Sequence, residues 1–568
     1  MSLLLVHPAF PSASAATGSF SSLLPDQSLD SFGQDLNTTS PVGIPHQPTI
    51  HVIDNCTEMS GLSAHHCLLA FERGTNKRCA LQSDGQTCTA DTCVEAKDEN
   101  ECAQHSDGLC KWQSPWCIYD ADHMTSCSED VVETDVKPLQ LVCTETSLLV
   151  KMQQAADQRQ SLRVIGAGWS YNTCPLPAAG AGSTVVLAGP LHNEYYYWDP
   201  IRSLLMVSGG MRTFEIYRLL TAIGMDWYTR GYCMHWDGGQ TIGGILANNV
   251  NHHFTPTSYN ETEALDLGVF VSGVATIVHA SRSSNRELFE SAFGGAGMSG
   301  IIVRAYLRIR PALYYQLWHE FPQIEGKLGY ASQLMQLDMQ NSRPLMPYYL
   351  EGVPTWANST FTETMRRIVL LDSMPAGCKP ARVIPGTDQQ FYNNDSCAVD
   401  YTFATTTPNT GIGVPTLKDL ALSGQEYSIA VRLADAPALA SCFDEVFAGN
   451  NKLLIGIFPR QMPRSGGGYM TANARGDAIN FDVSTLDQEA SIHESLIERV
   501  IACAVAREPK MLMWQHPGKA QAKLPRSMWG IDVDRFVAVL DTFDPGRTFS
   551  SDIIHKSKLY FASALALD

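Results

Sequence analysis

The sequence predicts an α+β protein preceded by a small disulfide-rich module, and three observations carry this reading. From about Lys137, short apolar runs of strand length alternate with stretches whose apolar residues recur at helical spacing. Nine of the 16 cysteines crowd between Cys56 and Cys127. Glycine-rich turns sit at the ends of predicted strands, as in VIGAGWSYN (Val164–Asn172). A chain of 568 residues is long enough for several folding units. Its 44% apolar content, 43 glycines and 30 prolines suit mixed, loop-rich structure.

Charge excludes one class of partner. There are 40 basic and 58 acidic residues, a net charge of −18, and no Lys/Arg cluster, so nucleic acid is not an expected ligand. No apolar run approaches the ~20 residues of a membrane-spanning helix, and no membrane span is expected.

Along the chain, residues 1–50 read as leader and linker, rich in Ser, Pro, Thr and Gln. The start, MSLLLVHPAFPSASAATG, has an apolar centre at Leu3–Val6 followed by small residues, which suits a secretory leader. Its Ser/Ala content, with no acid before Asp26, suits a plastid transit peptide equally well. Residues 51–128 form the Cys-rich module, in which CALQSDGQTC (Cys79–Cys88) and CAQHSDGLC (Cys102–Cys110) read as a degenerate repeat. Such density points to disulfides made in an oxidising compartment. Zinc is disfavoured, because paired CxxC knuckles are absent and His65, His66 and His105 lack finger spacing, so no metal is expected. The odd count leaves Cys143 or a free thiol to complete the set. Five Asn-x-Ser/Thr triplets, at Asn37, Asn55, Asn260, Asn358 and Asn394, agree with a secreted glycoprotein.

Glu129–Val136 reads as an acidic linker. Then come a helix Thr146–Gln158, strands at Leu162–Gly166, Thr184–Ala188 and Leu204–Ser208, and an amphipathic helix Thr213–Ile223 with Phe214, Tyr217 and Leu220 on one face. Strands at Leu267–Val271 and Val274–His279 precede a helix opening at Asn285, and Ile301–Ile309 is a strand closed by Pro311. Further on, a strand Leu453–Phe458, a helix Ala490–Val505 and a helix Asp532–Leu540 lead into the turn FDPGRTF on Asp544, Pro545 and Gly546.

Two glycine loops compete as phosphate cradles. FGGAGMSG holds Gly295, Gly297 and Gly300 in a GxGxxG pattern, but a helix precedes it and a strand follows, the reverse of a dinucleotide fingerprint. VIGAGWSYN follows a strand, and its small residues allow backbone amides to approach pyrophosphate; a tight turn needing glycine is the alternative.

The order VIGAGWSYN, GGQTIGGILANN (Gly238–Asn249) and Asp266–Pro311 resembles the FAD domain of the vanillyl-alcohol oxidase and p-cresol methylhydroxylase (PCMH) superfamily over about 175 residues. WQHPGK (Trp514–Lys519), RFVAVLDTFDPGRTFSS and QEYSIAVRLADAPAL (Gln425–Leu439) resemble the sugar-1,4-lactone oxidase and alditol oxidase branch. The resemblance implies a two-subdomain FAD-binding domain at 129–311, an α+β substrate domain at 312–513, and a C-terminal segment, 514–568, returning to the active site. It implies FAD contacts from Val164, Ile165, Gly166, Ala167, Gly168, Trp169 and Ser170. Further contacts are implied from Gln240, Thr241, Ile242, Gly243, Gly244, Asn249 and His252, and from Gly297, Gly300 and Ile301. It implies catalytic roles for His516, Lys519 and Arg460. The activity is hydride removal from a CH–OH group of a sugar, sugar lactone or hydroxy acid, with oxygen or another acceptor as partner.

The sequence departs from that pattern in three places. Trp169 stands where such oxidases carry the histidine that bonds flavin, which implies noncovalent FAD. Cys233 lies near the position of the second covalent link in berberine-bridge-like oxidases of secondary metabolites, an alternative reading, or is a buried thiol. Phe458 stands two residues before Arg460, where the branch has a glutamate. Glu426 is acidic in the expected substrate domain and Tyr469 reads as packing. A secreted Cys-rich binding protein with a degenerate oxidase domain is the alternative from another class.

Overall fold

The run TEALDLGVFV is buried from Thr262 to Phe270 except at Glu263, and a strand so apolar must be covered on both faces. In the computed structural model of the protein this strand, Thr262–Val271, lies inside a five-stranded antiparallel sheet. The order is Tyr197–Asp199, Leu204–Ser208, Ile301–Arg308, Thr262–Val271 and Val274–Ser281. Strand alternation then sorts its side chains. Leu265, Leu267 and Val269 enter one core with Leu205, Val207, Ile302 and Phe289. Ala264 and Phe270 enter a second with Met206, Val303 and Tyr306. The structure describes, with gaps, residues 51–550; unbroken stretches include 139–166, 202–213, 240–250, 258–311, 425–447, 490–507 and 532–550. All lie in one compact unit, Thr39–Asp568.

The second core also carries a small sheet in which Leu139–Val142, Gly182–Leu187 and Ser161–Val164 run parallel. The helix Glu145–Asp157 covers it through Leu148, Met152 and Ala155, spaced four and three residues apart, and Thr144 caps its start. The expected linker Glu129–Val136 contains a strand instead: Val131 and Val132 pair with Gln140 and Leu139. Two consecutive β-branched residues fit an edge strand better than free chain.

Disulfides Cys56–Cys79 and Cys67–Cys88 enclose a small core with Met59 and Ala70. The bridge Cys93–Cys110 belongs instead to the second main core, with Cys102, Val142 and Leu148. Cys143 is disulfide-bonded, one of the two outcomes the odd cysteine count left open, and so is Cys102.

Further along, strands Leu454–Met462, Ala478–Thr485 and Gln425–Arg432 are consecutive neighbours in a large antiparallel sheet. The helices Ala436–Phe447 and Ala490–Arg507 are joined by Cys442–Cys503. Phe443, Phe481, Ile497 and Phe536 share the first core with Leu265 and Phe289, so the apolar interior is continuous from residue 205 to 540. Several elements outrun their expected ends: Thr262–Val271 starts earlier, Leu454–Met462 continues through Pro459, and Val533–Phe543 gains a turn. Burial within the sheet or core extends them where local periodicity stops.

Among the described residues no helix is long and apolar enough to cross a membrane, and no cluster of metal-ligating side chains occurs. Asn260 donates its amide to Ser465 O (2.9 Å) and Thr262 is fully buried, so this triplet is engaged within the folded chain.

Candidate cofactor site

The first glycine loop leaves the parallel sheet at Val164. Ile165 still donates its amide to Val185 O (3.0 Å), and Gly166 follows. Ala167, Gly168, Trp169 and Ser170 lie outside the described residues. Gly166 has no room for a side chain, since a Cβ there would stand 2.3 Å from Thr241 Oγ1. Thr241 is the N-cap of the helix Ile242–Asn248, its Oγ1 accepting from Gly244 N (3.3 Å). The first and second loops, 75 residues apart, therefore meet backbone against cap.

The start of that helix is fixed by its neighbours. Gly243 donates to Gly209 O (2.8 Å), Ile242 to Met211 O (2.9 Å), and Thr213 to Gln240 O (3.0 Å). A Cβ on Gly243 would lie 3.0 Å from Gly209 O. The helix ends at Asn249, left-handed at φ 47°, its Oδ1 accepting from the Ser258 hydroxyl (3.2 Å). Asn249 is thus placed as a helix terminator.

The third loop joins the same place. Ala296 donates its amide to Ala247 O on the second-loop helix (2.8 Å). Gly297 takes φ +72°, and Gly300 (φ +145°) packs so closely that a Cβ would meet Val269 Cγ1 at 2.7 Å. Gly300 and Ile301 therefore pack against the central strand. A helix, Arg286–Ala292, precedes the loop and the strand Ile301–Arg308 follows, as the sequence order indicated.

Arg163, in the strand that feeds the first loop, ties these pieces together. It is buried (6% exposed), and its guanidinium donates to Ala296 O (2.6 Å), Gly297 O (3.3 Å) and Phe549 O (2.6 Å). Phe549 lies in the C-terminal turn, whose Asp544 carboxylate accepts the amides of Thr548 (2.8 Å) and Phe549 (2.9 Å). Burial pushes the Asp544 carboxyl up to about 6, against the opposing pull of those amides. Arg163 was not among the residues expected at the cofactor, and the FDPGRTF turn was expected at the site only as part of the returning segment 514–568; the Arg before the loop and the Asx-type turn after the last helix were the available signals.

These features fit an FAD. Gly166, Gly243 and Gly244 present side-chain-free, partly exposed backbone, as a phosphate-bearing chain requires. Around them Thr184 Oγ1, Thr213 Oγ1 and Arg163 Nε are buried without hydrogen-bond partners.

On the face of Thr262–Val271 that carries Ala264 and Phe270, Arg304 is fully buried and donates to Asp266 Oδ2 (2.7 Å) and to Glu145. Tyr306 and His279 also bond Asp266, at 2.9 and 2.8 Å. Burial raises the Asp266 carboxyl, but the Arg304 guanidinium and the His279 bond outweigh it and hold it below its ordinary range. Tyr469, read as packing, is 9% exposed and lines a cleft of about 550 Å³ with Arg286, Arg535 and Phe543.

On the expected substrate side, Arg460 lies in the strand Leu454–Met462 with Phe458 two residues before it. The neighbouring strand places Glu351 opposite Arg460, and Asn480 lies opposite on the other flank. The acid nearest Arg460 in register is thus on the neighbouring strand and not on its own. Glu426 sits opposite Ser484. His252, Cys233, His516 and Lys519 lie outside the described residues.

No protein-family model matches the sequence. Solved structures do resemble it. A solvent-stable cholesterol oxidase aligns at TM-score 0.54 and 14% identity, covering 74% of this chain and 95% of its own. A glycopeptide hexose oxidase complexed with teicoplanin aligns at 0.53 and 13%, covering 73% and 92%. A flavoenzyme involved in shunt product recycling in caerulomycin biosynthesis aligns at 0.53 and 14%, covering 74% and 94%. At these identities the likeness is one of fold: the chain has the mixed helix-and-sheet fold of these oxidoreductases.

Proposed function

We propose that this chain is an FAD-dependent oxidoreductase that oxidises a CH–OH group of a small molecule. The observation that carries the reading is the convergence of three glycine loops, Gly166 against Thr241 and Ala296 against Ala247, at one partly exposed backbone surface. The shared fold with a hexose oxidase, a cholesterol oxidase and a flavoenzyme supports it. In this reading residues 129–311 bind FAD, 312–513 bind substrate and 514–568 close the site.

Bound FAD supplies the hydride acceptor. The chain's part is to hold the cofactor on the glycine loops and to exclude competing groups from it. Trp169 in place of a flavin-linking histidine makes the binding noncovalent. In this reading Arg460, which has Glu351 opposite in backbone register, would serve the substrate; a guanidinium suits a carboxylate or carbonyl oxygen, which favours a hydroxy acid, sugar or sugar lactone. His516 and Lys519 take the proton-handling roles that their motif implies, with oxygen or another molecule as electron acceptor. The disulfides agree with an oxidising, secretory compartment.

The test is the visible spectrum of the purified full-length protein before and after acid precipitation. A yellow protein releasing its colour to the supernatant is the expected result. A colourless protein that takes up no FAD overturns the reading, and a yellow pellet overturns noncovalent binding and points to Cys233.

A further inference from the structure

We propose that Arg163 is the positioning residue of this cofactor site: it clamps the third glycine loop and the C-terminal turn beside the first loop, and its uncancelled charge favours an anionic diphosphate there. The inference rests on the FAD reading.

The position is specific. Arg163 stands three residues before Gly166 on the strand that delivers the loop, and its register partner is Thr184. Its donors reach two carbonyls of the third loop and one of the C-terminal turn, 133, 134 and 386 residues away. The turn is pinned to the same strand independently, by Leu162 N to Thr548 O (2.7 Å). Phe549, 1% exposed, stacks on Phe270 at 5.5 Å.

The charge is the second observation. A buried cation is costly unless it is paired. Among the described residues the partners of Arg163 are carbonyl oxygens and no carboxylate. Carbonyls accept from its two terminal nitrogens without cancelling its charge, and its Nε has no partner. A net positive charge in a low-dielectric setting, beside backbone shaped for a phosphate chain, favours a ligand that brings negative charge. FAD carries its diphosphate for that role; riboflavin carries none.

The experiment compares the flavin-stripped full-length protein with R163K, R163Q and R163M, titrating FAD and then riboflavin by flavin fluorescence, with thermal melting of each apo form alongside. Lysine keeps the charge and glutamine keeps neutral donors. FAD is expected to bind about tenfold more weakly to R163Q and R163M and less weakened in R163K, with riboflavin changing little. A purely mechanical clamp would lower the apo melting temperature while weakening FAD and riboflavin alike, and that outcome overturns the charge role. R163Q binding FAD within about twofold of wild type overturns the whole inference. If R163M does not fold, R163K and R163Q decide it. A wild type that takes up no FAD sinks the FAD reading, which is distinct from a yellow wild type whose variants behave alike.

Discussion

Arg304 and Arg163 are both buried, and the protein satisfies them in opposite ways. Arg304 meets Asp266 and Glu145, so its charge is cancelled inside the core. Arg163 meets only carbonyls among the described residues, so its terminal nitrogens are hydrogen-bonded while its charge is left over. The first arrangement cancels the charge within the core and ties the sheet to the helix Glu145–Asp157. The second leaves a positive charge that the proposed diphosphate would offset. Burial alone therefore does not show whether an arginine's charge is cancelled; the charge of its partners does.

The sharpest way to break this contrast is Arg304→Met, which strands the Asp266 carboxylate, 0% exposed, without its guanidinium. A loss of about 3–5 kcal/mol in urea unfolding is expected. Adding Asp266→Leu should restore much of it, and a cost below about 1 kcal/mol for the single change would dissolve the distinction.

Next in size is the pH response of the C-terminal turn. The Asp544 carboxyl is raised to about 6 in the fold, so the folded chain holds its proton more tightly than the unfolded chain. Its contribution to stability is full below the ordinary carboxylate value and is lost as pH rises from about 4 to about 6. Measured against Asp544→Asn across that window, wild-type stability should fall by up to about 3 kcal/mol; a rise would contradict the assignment.

Gly166→Ala tests the loop junction, because its Cβ would press on Thr241 Oγ1 at 2.3 Å. A loss of about 1–3 kcal/mol and weakened FAD retention are expected, whereas Gly476→Ala, with nothing within 4 Å, should retain FAD as wild type does. The smallest effect belongs to the exposed pair Arg308–Glu263, with side chains 45% and 40% exposed. Arg308→Ala should cost less than about 1 kcal/mol in the same unfolding assay, since solvent already screens that pair.

Much of the fold was legible because it is written in local pattern. The run Leu267–Val271, the helix opening at Asn285 and the order of glycine loops are features of neighbouring residues. The acidic stretch at Glu129–Val136 misled because composition said linker while the sheet edge recruited Val131 and Val132. Cys442–Cys503 was not foreseen, since 61 residues separate two cysteines with no motif around either. That Glu351 lies opposite Arg460 was not foreseen for a similar reason: cross-strand register cannot be read along one strand.

The sequence by itself determined the kinds of most elements, their order, the disulfide-rich start and the three glycine-rich loops. Periodicity, cysteine density and glycine are local properties and need no neighbours in space. Only the tertiary structure decided that Gly166 abuts Thr241, that the C-terminal turn reaches Arg163, and that Arg304 is neutralised while Arg163 is not. Charge compensation depends on through-space distance, and the residues that supply or withhold it lie up to 386 positions apart in the chain.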